Sequence, residues 1–147
     1  LADKKSVATI EIGPEGKFSI DQKENDYICH ANHYVAEDML NFNKKIGQSS
    51  EKRYERICQL LDKAYMPFSL DVFLNFSSDQ NDGPDDSIFR SGSNPTKTRT
   101  MAVWAVAIPK QGSPEVYIKI LNPNEEEKSC RIIADDFFSA QAILNKI

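Results

Sequence analysis

The stretch TMAVWAVAI, residues 100–108, constrains this chain more than any other. It is an almost unbroken apolar run of β-branched, aromatic and small residues, too short to cross a bilayer, and it fits a strand covered on both faces. Such a strand needs a sheet with material above and below it. The turn PKQGSP and the alternating EVYIKIL, 115–121, supply an antiparallel partner. CRIIA, 130–134, reads as another short strand, and DDFFSAQAILNKI as an amphipathic closing helix capped by Asp135 or Asp136.

A chain of 147 residues, 40% apolar, can bury one core but not two, so residues 1–147 are expected to form a single unit. SVATIEIGPEGKFSID alternates around a GPEG turn and predicts a hairpin over 6–12 and 16–21. NDYICHA, 25–31, reads as a third strand. EKRYERICQLLDKAY carries Tyr54, Ile57, Leu60, Leu61 and Ala64 at helical spacing, with Ser49 or Ser50 as its cap. Pro67 ends that helix, Ser69 caps a shorter one over LDVFLNFSSD, and the two suggest a helical hairpin. Residues 77–99, rich in Ser, Asn, Asp, Gly and Pro, predict a long surface loop. The order β-β-β-α-α-β-β-α makes the fold α+β, helices against antiparallel sheet.

A formal charge of −4 leaves no broad basic face for a phosphate backbone, which argues against general nucleic-acid binding. No apolar run is long enough for a membrane span, and LADKKSVATI lacks the apolar core of a signal peptide. The missing initiator methionine suggests a trimmed or processed chain, or a piece of a longer protein. Acidic charge and unpaired thiols slightly favour the cytoplasm, while a signal on a missing N-terminus would make the protein secreted or periplasmic. Cysteines at 29, 58 and 130 form neither a CxxC pair nor an even set, so reduced, mostly buried thiols are expected.

The stretch YICHANHYVAEDM, 27–39, concentrates the candidate chemistry. Cys29, His30 and His33, with Glu37 or Asp38, are metal-ligand types, but neighbours on a strand point to opposite faces, which argues against a zinc site. A Cys29/His33 nucleophile and base would need a sharp turn to meet. On the next helix, Arg53 and Arg56 lie three apart near an N-terminus whose dipole disfavours cations, so each needs a partner or a role; Glu55 is the local partner candidate. Spacing alone yields an α+β domain with no self-contained catalytic constellation, and no cofactor is expected.

The order of segments adds to this. ANHYV after a strand, SSEKRYERICQLL, PFSLDVFLNFSSD, a loop with IFR, and TRTMAVWAVAIPKQGSPEVYIKIL resemble the C-terminal part of the choloylglycine hydrolase and penicillin acyltransferase superfamily. The likeness covers residues 6–121. It implies an N-terminal nucleophile hydrolase fold, an αββα sandwich of which this chain supplies part, and a catalytic cysteine at another chain start, with its own α-amino group as base. By the same resemblance, Asn32 is an oxyanion-hole donor and Arg53 anchors the catalytic cysteine region. His33 and Tyr34 fix the strand end. Phe89 stands where the family's I-C-R loop has cysteine, and Met101, Ala102 and Val103 stand where a small polar residue often follows the threonine.

The implied function is part of a cysteine amidohydrolase or acyltransferase acting on a small-molecule amide or acyl substrate. An N-terminal companion chain or segment would carry the nucleophile, and a homo-oligomer is compatible with this. The alternative is a non-catalytic binding or interaction module working through loop 77–99.

Overall fold

A computed structural model describes residues 1–122 and 125–138. The chain is α+β. Strands β1 (Ser6–Ile12) and β2 (Phe18–Glu24) pair antiparallel, with Ile10 opposite Ile20 and Ile12 opposite Phe18. Strands β3 (Ala102–Ala107), β4 (Glu115–Ile120) and β5 (Lys128–Ile133) form a second antiparallel sheet in that order. The helices are α1 (Gln48–Lys63), α2 (Leu70–Ser77), the single turn α3 (Gly83–Asp86) and α4 (Ala134–Phe138). No helix among the described residues is long and apolar enough to cross a membrane. The closing helix predicted over 135–147 lies beyond its first turn outside the described residues.

The first hairpin turns through Pro14–Gly16, and its second strand starts at Phe18, two residues later than the pattern predicts. Glu15 and Gly16 both take positive φ in this turn, 58° and 75°. Gly13 is required for another reason: a Cβ there would stand 2.8 Å from Cε of Met39, a residue only 1% exposed. The lack of a side chain at Gly13 leaves room there for Met39 and Phe42 of the 3₁₀ turn Glu37–Phe42.

Residues 25–31 do not form the expected third strand. Asn25 takes φ 52°, in the left-handed region, and turns the chain away from the sheet edge. The segment then runs extended along α1, where side chains replace the ladder. Neither Ser49 nor Ser50 caps α1, because both lie inside it and Gly47 is the N-cap, without a side-chain bond. Ser69 does cap α2, accepting from the Val72 N–H at 3.4 Å. Instead of forming a hairpin with α1, α2 lies against β3, and Asp71 pairs with Arg131 of β5 at 2.5 Å.

The second sheet corrects the expectation for 100–108. Exposure alternates along β3: Val103, Ala105 and Ala107 are half-buried, while Ala102, Trp104 and Val106 are exposed. One face is therefore covered by α2 and by Phe89, whose ring meets the Lys119 ammonium at 5.9 Å. The other presents Trp104, 75% exposed, and across the register Ile118 and the thiol of Cys130. Loop 77–99 remains loop apart from α3. It is held by Ser87, fully buried, whose hydroxyl donates to the Gly83 carbonyl and accepts from Asp82 N–H.

Candidate functional site

The site is built where the extended segment 27–36 crosses α1. Ser50, Tyr54, Cys58 and Asp62 are spaced four apart, so they form one stripe along the helix. The segment runs antiparallel to that stripe and meets it residue by residue. The Tyr27 hydroxyl donates to Asp62, Cys29 Sγ lies 2.7 Å from Cys58 Sγ, and His33 stacks edge-on against Tyr54 at 5.4 Å. Asn32 N–H donates to Ser50 Oγ at 2.8 Å, and the same hydroxyl meets His33 Nδ1 at 2.8 Å. Ser50 is buried and bound on both sides, which makes it a bracket for the segment.

This bracket brings together the two residues singled out in the sequence. Arg53 Nη2 donates to Asn32 Oδ1 at 2.6 Å, while Arg53 Nε donates to the Ser49 carbonyl at 3.0 Å. Because a guanidinium only donates, it fixes which end of the amide faces it: Oδ1 is occupied and both Nδ2 hydrogens point elsewhere. Asn32 also lines a groove of about 560 Å³ with Ile10, Ile12, Phe42, Lys44 and Lys45. No cysteine lines it.

Arg53 has no carboxylate partner among the described residues. Burial, and then the nearby positive charge of Arg90, lower its pKa, although an arginine stays protonated at neutral pH. Arg90 brings a second cation without a carboxylate partner among the described residues, where its buried Nε also has no hydrogen-bond partner. Its backbone is fixed by Thr100, which accepts from Arg90 N–H and donates its own N–H to the Arg90 carbonyl. Arg53 therefore sets a positive charge directly against the Asn32 amide oxygen. Two other cations of α1 are paired from loop 77–99 rather than by Glu55: Arg56 reaches Asp79 at 2.6 Å and Lys52 reaches Asp86 at 3.4 Å.

The far end of the segment is held by Glu11, 4% exposed, on the inward face of β1. Its carboxylate accepts from Val35 N–H at 2.7 Å and Ala36 N–H at 3.1 Å, and meets His30 Nε2 at 2.6 Å. Burial raises its pKa, but the Val35, His30 and Ala36 hydrogen bonds outweigh that and leave it below the usual glutamate value. Tyr34 completes the frame, its hydroxyl donating to the Ile12 carbonyl at 3.0 Å and its backbone pairing with the Asn43 amide.

The other candidates separate. Cys29 faces Cys58, His30 faces Glu11 and His33 faces Ser50, so Cys29 and His33 make no pair. Among the described residues no group of three metal-ligand side chains gathers, Glu37 and Asp38 included. Cys29 and Cys58 are half-buried; Cys130 is exposed, against the expectation of mostly buried thiols. Sequence reasoning did not single out Glu11, and it met Ser50 only as a candidate helix cap and Arg90 only within the IFR segment. Alternation placed Glu11 on the face of Thr9, but nothing local marked that face as inward.

The family model for acyl-coenzyme A:6-aminopenicillanic acid acyl-transferase matches residues 1–125. No curated protein matches the chain.

Proposed function

Since the chain belongs to the acyl-coenzyme A:6-aminopenicillanic acid acyl-transferase family, we propose that it forms the oxyanion side of a thiol-dependent acyl-transfer or amide-hydrolysis site. A cysteine thiolate attacks the carbonyl carbon of an amide or acyl substrate, and the carbonyl oxygen takes up negative charge. Asn32 Nδ2–H donates to that oxygen, a role suited to a neutral donor already fixed before charge develops. Water or an amine then resolves the acyl-enzyme. The observation that carries this reading is the 2.6 Å bond from Arg53 to Asn32 Oδ1, which commits the amide to presenting its N–H groups. Arg53 positions the amide and, with Arg90, biases the site toward an anion.

The nucleophile in this proposal is an N-terminal cysteine on a segment outside this chain, its α-amino group accepting the thiol proton. Two features support a companion segment. None of the cysteines here lines the groove beside Asn32, and both sheets present uncovered apolar faces that a further layer would bury.

The test replaces Asn32 in the enzyme completed by its nucleophile. Asn32→Ala is expected to lower kcat about 10²–10³-fold with the melting temperature nearly unchanged. Asn32→Asp is expected to be worse, because a carboxylate repels the oxyanion. Near-normal turnover in Asn32→Asp would overturn the assignment.

A further inference from the structure

We propose that Cys29 and Cys58 are a closable dithiol, a modification site at which an external disulfide oxidant forms an intramolecular disulfide between segment 27–36 and α1. The two Sγ atoms stand 2.7 Å apart, against roughly 2.05 Å in a disulfide bond. The approach is imposed from both sides. Tyr27 on Asp62 and Asn32 on Ser50 clamp the segment to the helix before and after Cys29, so closing the bond needs a small shift and no rearrangement. Both thiols line a cavity of about 330 Å³ between β1, β2 and α1, which gives an oxidant a way in.

The chemistry balances with one reagent. A thiolate of the pair attacks one sulfur of oxidised glutathione and expels a glutathione thiolate. The second cysteine, deprotonated in turn, attacks the mixed disulfide and expels the other glutathione. Two protein thiols are oxidised, one external disulfide is reduced, and the two protons end on the released thiols.

The surroundings set the rate. Burial and the adjoining Cys58 thiol push Cys29 up to about 12, and the cavity also presents Glu11, Asp21, Lys23, Tyr27 and Tyr54 to the pair. Cys29 is therefore almost wholly thiol at neutral pH. Oxidation is expected to be slow there and to quicken about tenfold per pH unit across the mildly alkaline range, because the thiolate is the attacking species.

The experiment incubates the chain with oxidised glutathione at mildly alkaline pH, then unfolds, alkylates and maps it by mass spectrometry. Cys29 and Cys58 should escape alkylation and appear as one cross-linked peptide lighter by two hydrogens, while Cys130 is either alkylated or carries a single glutathione. Backbone hydrogen exchange over 28–33 should slow several-fold in the oxidised form and recover on reduction. Cys130→Ser should leave the cross-link intact, and Cys58→Ser should stop the reaction at a glutathione adduct on Cys29. Full alkylation of all three thiols, separate glutathione adducts on Cys29 and Cys58 in the unmutated chain, or a bridge through Cys130 would each overturn the proposal.

Discussion

The junction around Asn32 and the sheet around Trp104 are held by opposite means. At the junction nearly every contact is polar: Glu11 serves two backbone N–H groups and a histidine, Ser50 serves Asn32 and His33, and Arg53 serves an amide and a carbonyl. At the sheet, Trp104, Val106 and Ile120 stand 75%, 44% and 53% exposed. The first hairpin belongs to both worlds. Its inward face carries Thr9, Glu11, Asp21 and Lys23, while Ile10, Ile12, Phe18 and Ile20 point out. Apolar residues alternating on an outward face suit a strand pair built to be covered from outside, whereas its polar face shapes a site. The difference teaches that the described residues close their polar framework among themselves while much of their apolar strand surface stays exposed; covering by another layer is what the proposed companion segment would supply. The chain's buried apolar side chains, among the described residues, are only Met39, Leu61, Leu70 and Ile132.

Breaking the polar side should cost most. Glu11→Ala strands the N–H groups of Val35 and Ala36 and the ring of His30, so a loss of about 3 kcal/mol in urea unfolding is expected. A loss under about 0.5 kcal/mol would show that the junction does not depend on this carboxylate. Glu11→Gln keeps an acceptor and should recover part of the loss. The pH dependence follows from the direction of the shift. A folded-state pKa below the unfolded value gives stability that is present above about pH 4.3 and lost as pH falls through the folded value. Glu11→Gln should lack that acid limb.

A smaller break separates loop 77–99 from α1. Arg56 donates through both Nε and Nη2 to Asp79 Oδ2, and that hydrogen bonding holds the Asp79 carboxyl below its ordinary pKa. Asp79→Asn should cost about 1–2 kcal/mol, as expected for a half-buried charge-assisted pair. Because Arg53 makes its bonds to Asn32 and Ser49 instead, the same variant should leave the Asn32 geometry intact. Chemical shifts of the Asn32 side-chain amide check this.

What could be read in the sequence follows the same division. Strand alternation and the Ser69 cap were legible because each rests on local spacing, whereas the Arg53 bond to Asn32 was not, since it joins two segments 21 residues apart. The third strand was not, since YICHA has strand-forming residues but gains side-chain contacts to α1 in place of a ladder partner. The stripe Ser50, Tyr54, Cys58, Asp62 escaped attention for a related reason: a helical face is ordinarily found by its apolar residues, and this one is mixed. The two-faced burial read into TMAVWAVAI was half met. Residue type reports the burial a strand is built for, and α2 supplies one side of it.

The apolar side yields the smallest expected change in stability, and that smallness is the point. Trp104→Thr removes a side chain that is 75% exposed, keeps a β-branched residue on β3, and leaves α2 and its covered face untouched. Folding stability of the chain should therefore move by no more than about 0.5 kcal/mol. Self-association should fall, because the indole is the largest part of the open patch formed with Ile118, Val106 and Ile120. Sedimentation velocity over a concentration series, run beside urea unfolding, measures both at once. A loss of several kcal/mol would mean that Trp104 already packs within the chain. Unchanged association would mean that this face is not the surface left for another layer.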